Sequence, residues 1–393
     1  MSTDSEQTSW PVSRIYLDNN ATTHPLPEVI ESVAHHLHHS YANPGSRHAD
    51  GQIARKALEE SREKIAAILG ADADEVILTS GGTEATNMAI FGCLPSNPGV
   101  IVLTAGEHPA TLESCRVLEQ RGFELLFLDV DRDGRLIAEQ YGQLPWGRIR
   151  LVTVILAHNE TGVVQELEPL ATLCNDNRVP FHIDAVQAVG KIPVDFQALG
   201  ATTLALGAHK FHGPRGIGAL LLRTDTNLVT TQFGGHQESG RRPGTEMVAL
   251  AVGMSRALEL WNANESTRTE HVRLLRDRLQ AGLTQHCDPV VVNGSMEHRL
   301  PNTLNIAFPG ADGEALLVAL DLEGISCSLG STCASGSADP APVLVAMGCS
   351  AEIYQSSVRF SIGMENTSEE IDDAISRIAR VVAKLRRPVN AAT

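Results

Sequence analysis

Residues 75–92 read EVILTSGGTEATNMAIFG, a short apolar run, a glycine-rich turn and then a helix-forming segment. Just upstream, EESREKIAAILG (59–70) has the periodicity of a helix closed by Gly70. Downstream the same alternation recurs. The apolar segments VIVLTA (100–105), ELLFLD (124–129), LVTVILA (151–157), PFHIDA (180–185), TTLALGA (202–208) and GALLLR (218–223) are separated by helical or turn-rich stretches. Strands that are apolar on both faces and spaced for crossovers predict an α/β layer sandwich with a mostly parallel central sheet.

The texture changes after about residue 247. A long helical stretch is expected over VALAVGMSRALELWNANESTRTEHVRLLRDRLQAGL (248–283), followed by three strands in TLNIAF, GISCSL and VRFSIG. Helices EALLVALDL and SEEIDDAISRIARVVAKL lie before the second strand and at the end of the chain. The division expected is a large domain of residues 16–258 and a smaller α/β domain of 1–15 and 259–393. At 393 residues the chain is long enough for two or more cores.

Composition narrows the class of protein. Forty-seven acidic against 31 basic residues give a formal charge of -16 with no long basic run, which argues against a nucleic-acid footprint. The polar start MSTDSEQTSWPVSR lacks the apolar stretch of a secretory signal, and no apolar run approaches the roughly 18 residues of a membrane span. A cytoplasmic protein without membrane partners is expected. The seven cysteines form no close CxxC pair, their odd number prevents complete internal pairing, and no metal site is expected. Cys93, Cys115, Cys174 and Cys287 read as inert packing residues.

Several polar residues fall just after predicted strands, where a parallel sheet presents its ligands. In TSGGTEATN, Gly82 and Thr83 open a helix whose backbone N–H groups can cradle a phosphate. The segment has neither the GxGxxG of a dinucleotide site nor the GK[ST] of a P-loop, which leaves a smaller phosphorylated cofactor open beside an ordinary glycine turn. Asp184 ends the strand in FHIDAVQAVG, and His209 and Lys210 end the one in LGAHKFHG. An acid to pair with a pyridine nitrogen and a lysine able to form a Schiff base are the two groups that pyridoxal 5'-phosphate requires. His108 in AGEHPA has a ring that can stack on a cofactor and move protons. Asn159 in LAHNETG and Gln187 in DAVQ can hydrogen-bond cofactor or substrate. Arg359 in SSVRFSIG can clamp a carboxylate through two N–H groups. Each has an ordinary structural alternative when taken alone: a turn, a cap, a helix surface, an interdomain ion pair.

Taken together, YLDNNATT (16–23), NPGSRH (43–48), TSGGTEATN, GEHPA, HNETGVVQ, HIDAVQAVGK, GAHKFHGPRGIGALLLR, GGHQESGRRPGTE, GSTCASGS and SSVRFSIG resemble, in order, the cysteine desulfurases of the NifS/IscS type. The resemblance implies the type I fold of pyridoxal-phosphate-dependent transferases, a homodimer, and conversion of L-cysteine to L-alanine with an enzyme-bound persulfide. It implies that Lys210 carries the cofactor, Asp184 partners its pyridine nitrogen, Gln187 its phenolic oxygen, and His108 stacks on its ring. Gly82, Thr83 and His209 would hold the phosphate, joined by Thr245 from across the dimer. Asn159 and Arg359 would bind the substrate carboxylate, with Asn159 also beside the cofactor.

In the same comparison Cys333, within GISCSLGSTCASGSADP, matches the sulfur-accepting nucleophile, while Cys327 has no such match and reads as structural. One departure stands out: where the family frequently has a serine two residues before the histidine of its HK pair, this chain has Gly207. The persulfide would pass to an acceptor protein, such as an iron–sulfur scaffold. The alternatives implied are a selenocysteine lyase or other β-lyase, for which Cys333 is dispensable, and a non-catalytic sulfur-transfer scaffold.

Overall fold

A computed structural model describes residues 13–95, 97–329 and 341–386. Its strands are β1 (Ile15–Tyr16), β2 (Val76–Thr79), β3 (Val100–Thr104), β4 (Glu124–Leu128), β5 (Ile149–Ile155), β6 (Phe181–Asp184), β7 (Thr203–Gly207), β8 (Gly218–Leu222), β9 (Val291–Asn293), β10 (Thr303–Ala307), β11 (Ile325–Ser326), β12 (Ser328–Leu329) and β13 (Ser357–Ser361). Seven of them form one sheet in the order β2-β8-β7-β6-β5-β3-β4. β8 pairs antiparallel with both its neighbours, and all the other pairs are parallel. Every strand but β8 therefore ends at the same edge of the sheet. That edge gathers the segments after Thr79, Thr104, Ile155, Asp184 and Gly207.

β2, β3, β7 and β8 are buried at every position because helices cover both faces. Each fully buried leucine among them, such as Leu204 and Leu221, contributes on the order of 1.5–3 kcal/mol. β4 differs from the doubly buried strand expected at ELLFLD. It is the edge strand, with no further strand beside it among the described residues, and Phe127 there is 44% exposed. Gly70, at φ +62, closes the helix Ala49–Ile68, and a Cβ there would lie 2.5 Å from Asp195 Cγ.

The long helical stretch expected over 248–283 is two helices, Val248–Ala263 and Glu265–His286. They part at Asn264, whose side-chain N–H donates to the Leu260 carbonyl at 3.2 Å. The break lets each helix serve a different core. Val248, Met254 and Leu258 join the apolar cluster beneath the large sheet, whereas Val272, Leu275, Leu279 and Leu283 join a second cluster with Ile15, Leu17, Leu304 and Phe360. That second cluster lines an antiparallel sheet of order β12-β13-β10-β9. The strand expected at GISCSL is interrupted at Cys327, its halves β11 and β12 pairing with β1 and β13 respectively. β9 was not foreseen from the sequence. The final helix, Ser368–Leu385, begins with a capping box between Thr367 and Glu370.

Candidate active site

At the common edge of the large sheet lies a cavity of about 330 Å³ lined by Asn20, Gly82, Thr83, His108, Asn159, Asp184, Gln187, His209, Lys210 and Arg359, among others. Each strand ends in a turn that delivers one or two of these groups. Gly82 opens the helix Gly82–Gly92, whose first-turn N–H groups face an anion site by geometry alone. A Cβ on Gly82 would sit 2.5 Å from Val186 Cγ2, so only glycine lets the helix start close against the turn after β6. Thr83 is exposed beside it.

Asp184, 3% exposed, accepts the Val186 N–H at 3.0 Å through Oδ1. Burial pushes its carboxyl up from the ordinary range, while His108, the Val186 N–H and Lys210 pull it back. A further cationic N–H against Asp184 would favour its ionised form. Lys210 Nζ donates to the carbonyls of Asn20 and Ala21 at 2.7 and 2.9 Å. Burial and then Arg359 lower its pKa to about 8, against the pull of Asp184, Asp18 and Glu160. Such a lysine gives up its proton more readily than an exposed one, as Schiff-base and general-base lysines must.

His108 caps the helix Pro109–Glu119, its Nδ1 accepting the Ala110 N–H at 3.1 Å. Although its ring is open to solvent, desolvation by the surrounding protein lowers its pKa, with Lys210 adding to this and Asp184 opposing it. Gln187 Nε2 donates to the Asn20 carbonyl at 2.8 Å. His209 Nδ1 lies 3.2 Å from Thr22 Oγ1, and burial brings its pKa to about 4.

Arg359 stands on β13 with its guanidinium spanning two carboxylates: Nη1 donates to Glu160 Oε1 and Nη2 to Asp18 Oδ1, both at 2.8 Å. Asn159 Nδ2 donates to the same Glu160 oxygen at 2.7 Å, and the Asn159 carbonyl accepts from Arg359 at 3.2 Å. The second sheet thus supplies the cation, and the acids that hold it come from the turn after β5 (Glu160) and the segment after β1 (Asp18).

Of the residues singled out from the sequence, this cavity brings together Gly82, Thr83, His108, Asn159, Asp184, Gln187, His209, Lys210 and Arg359. Thr245 is not among them. It is exposed and lines a separate surface cavity with Leu37, Tyr41, Met247 and Leu250. Cys333 lies outside the described residues. Cys327 is partly buried against the second core, and burial pushes its thiol far up.

Four residues of the site carried no sequence signal. Asn20, 1% exposed, is a hydrogen-bond hub between Lys210, Gln187 and the second sheet. Glu107 is a buried carboxyl raised to about 8 by desolvation, held by Thr104 Oγ1 at 2.6 Å and the Ile155 N–H at 3.1 Å. Lys191 is buried behind Gln187. Thr86, one helical turn after Gly82 and Thr83, lines the cavity with its hydroxyl buried and without a hydrogen-bond partner among the described residues. Glu107, Lys191 and Asn20 all stand inside quoted motifs, but nothing in a local pattern distinguishes a buried polar residue from an exposed one.

The residues present fit pyridoxal phosphate. A buried acid and a buried lysine share the cavity with a helix N-terminus narrowed to admit only glycine, an orphaned hydroxyl and a stackable imidazole ring. The aminotransferase class-V family matches residues 15–373. A cysteine desulfurase of Trichormus azollae is 42% identical over 95% of this chain and 94% of its own length. The cysteine desulfurase NifS of Azotobacter vinelandii is 40% identical over 95% and 93%. A solved structure of a NifS-like protein superimposes with a TM-score of 0.88 at 33% identity, covering 95% of this chain and all of the other. The chain belongs to the aminotransferase class-V family and, within it, to the cysteine desulfurases.

Proposed function

We propose that the protein uses pyridoxal phosphate to convert L-cysteine to L-alanine, leaving the sulfur as a persulfide on Cys333. The observation that carries this reading is the meeting of Asp184 and Lys210 in one cavity with the Gly82–Thr83 helix start and Arg359. When bound, the cofactor supplies an electron sink for the substrate Cα. Lys210 would hold the cofactor covalently and, when free of it, would take the Cα proton, a task suited to a lysine whose pKa is about 8. Asp184 would keep the ring nitrogen protonated, and Gln187 would offer an amide N–H to the phenolic oxygen. His108 would face the ring and serve protons at the substrate sulfur. Gly82, Thr83 and His209 would hold the phosphate, and Arg359 with Asn159 would orient the substrate carboxylate.

The sulfur step balances without an external oxidant. The Cys333 thiolate would attack the substrate sulfur, the Cβ–S bond would break with its electron pair going to Cβ, the new S–S bond would leave Cys333 as a persulfide, and protonation of Cβ followed by return of a proton to Cα would complete alanine. Cys327 is ill suited to that attack, because a thiol held protonated by burial is a poor nucleophile.

Residues 16–258 would then form the cofactor domain, and residues 1–15 with 259–393 the smaller domain carrying Arg359 and Cys333. The working unit is a homodimer in which Thr245 completes the partner's phosphate site. Supporting this, Leu37 and Tyr41 are 62% and 74% exposed beside Thr245, an apolar surface suited to burial by a second copy. No helix among the described residues is long and apolar enough to cross a membrane. We place the protein in the cytoplasm, passing sulfur to an acceptor protein such as an iron–sulfur scaffold.

The test is one turnover with L-cysteine and no added thiol, followed by alkylation and peptide mass analysis. The extra sulfur is expected on the peptide holding Cys333, and Cys333→Ala should lose it while still binding cofactor and substrate. A persulfide on Cys327, or undiminished transfer by Cys333→Ala, would overturn the assignment.

A further inference from the structure

Behind the cavity lies a second buried lysine for which the proposed chemistry has no use. Lys191 is 8% exposed and follows Gln187 by four residues in the turn after β6. Its Nζ donates to Gln187 Oε1 at 2.5 Å and to Asn20 Oδ1 at 2.8 Å, and among the described residues it has no carboxylate partner. Both of its acceptors are amides whose other atoms reach the site. Gln187 Nε2 donates to the Asn20 carbonyl, and that same carbonyl receives Lys210 Nζ at 2.7 Å. Asn20 also donates to Thr303 Oγ1 at 2.9 Å and to the Asn159 carbonyl at 3.1 Å.

An amide side chain has one accepting end and one donating end, and rotation by half a turn exchanges them. A lysine ammonium can only donate, and a neutral amine has two N–H donors against one lone pair, so Lys191, with two amide side chains at hydrogen-bond distance, offers each of them a donor. A lysine amine behind Gln187 therefore selects one of the two amide orientations, the one that puts the N–H₂ end on the cavity side. It does the same for Asn20. Resting on the proposed function of the site, we propose that Lys191 is a positioning residue, which fixes Gln187 with its N–H groups toward the cofactor's phenolic oxygen and fixes Asn20 beneath Lys210.

The protonation state of Lys191 agrees with this arrangement. Burial drives it well below the ordinary lysine value, with Lys210 and Arg359 adding to the effect. His209 and His212 are the other titratable groups that feel it. A neutral amine has two N–H bonds, and Lys191 has two acceptors. Its role is thus one of hydrogen-bond direction, with no need of a standing charge inside the protein.

The test is a double-mutant cycle read by the pH titration of the bound cofactor's visible absorbance. Gln187→Leu removes the donor to the phenolic oxygen, and the midpoint of the titration should rise by about one pH unit, the scale on which a single hydrogen bond moves a neighbouring ionisation. Lys191→Met should raise it by a similar amount, because the amide is no longer held. The double variant should show little beyond either single change, since both break the same contact. Lys191→Gln keeps N–H donors and should recover part of the wild-type midpoint.

A Lys191→Met midpoint equal to that of the wild type, or shifts that add in full in the double variant, would overturn the proposal. Should Lys191→Met not fold, Lys191→Gln in the same cycle decides by the same additivity criterion. A cofactor-free crystal structure of the Lys191 variant separates this proposal from the reading of the site. Gln187 should leave its present contact with the Asn20 carbonyl, and finding it in place would count against Lys191 even if the wild-type chain never takes up the cofactor. A wild type that folds but binds no cofactor at Lys210 counts against the site instead.

Discussion

Two concavities lie at opposite ends of the large sheet, and the larger one is chemically the poorer. The groove at the starting ends of the strands encloses about 710 Å³ and is lined by Glu75, Arg178, Pro180, Thr202, Arg223 and Asp225, among others. Two of its charged groups, Arg223 and Glu75, are occupied in holding the fold. Arg223 donates to the carbonyls of Ala201 and Gln197 and lies 5.4 Å above the Phe196 ring. Glu75 accepts the Asp72 and Thr224 N–H groups. The cavity at the finishing ends is less than half that volume, yet it holds an acid pushed up by burial and a lysine brought down to about 8. Strand polarity accounts for the difference. At the finishing edge each strand runs into a turn and a helix N-terminus, so ligand-binding groups converge there and stay partly desolvated. Volume does not locate the site; convergent, desolvated charge does.

The contrast is broken most directly by one substitution at each end. Lys210→Ala should eliminate borohydride-trapped cofactor and reduce alanine formation from cysteine by about 10³-fold or more, the loss expected when a positioned base is removed. Arg223→Ala should leave turnover within about twofold and cost about 0.5–1 kcal/mol of stability, through the lost cation–π contact. Steady-state assays and thermal unfolding of the two variants decide the matter. A Lys210→Ala enzyme of near wild-type activity, or an Arg223→Ala enzyme that folds and is dead, would reverse the assignment of the two concavities.

The same contrast separates what the sequence reveals from what it hides. Apolar runs such as LVTVILA and TTLALGA announce buried parallel strands, and residues just after them, Asp184 and Lys210, are then placed at a common edge by strand direction alone. Their roles came from the resemblance of whole motifs, because an isolated aspartate or lysine after a strand has many ordinary uses. Asn20, Glu107 and Lys191 were missed for a physical reason: each is buried by contacts with residues far away in the chain. Lys191, for example, is held by Asn20, 171 positions away. The helix break at Asn264 was hidden likewise, since local periodicity runs through it and only the existence of two cores requires a bend. β4 was expected to be buried on both faces because an apolar run does not say whether a further strand lies beyond it.

A smaller effect sharpens the picture at the phosphate end. Gly207 leaves space beside the helix start: a Cβ built there would lie 3.4 Å from Gly82 N and 3.6 Å from His209 Cδ2, ordinary contact distances. Gly207→Ser is therefore expected to fit and to place a hydroxyl where a phosphate would be held. A charge-assisted hydrogen bond of about 1.5–3 kcal/mol corresponds to cofactor bound roughly 10- to 100-fold more tightly. Equilibrium dialysis of the cofactor against wild type and variant measures this directly. Unchanged or weaker binding by a folded variant would mean that this edge of the cavity does not hold the phosphate.

The smallest expected effect concerns a cysteine that lies close to the proposed chemistry. Cys327 sits at the break between β11 and β12, next to Ser328, whose hydroxyl donates to the Asp18 carboxylate that holds Arg359. Proximity alone would make it a rival to Cys333. Its surroundings argue otherwise, since burial, reinforced by Asp18, raises its thiol far above neutrality. It packs against the second core alongside Leu329. Cys327→Ala removes one sulfur atom from a partly buried position, and the cost should be no more than about 1.5 kcal/mol, the range of a small core truncation. Persulfide yield after one turnover should match that of the wild type, because the substitution leaves Arg359, Asp18 and Lys210 in place. A modest fall in melting temperature with full persulfide yield would establish Cys327 as packing. Loss of the persulfide with an unchanged melting temperature would instead make Cys327 a participant, and the deep, desolvated thiol would have to be reckoned part of the sulfur route.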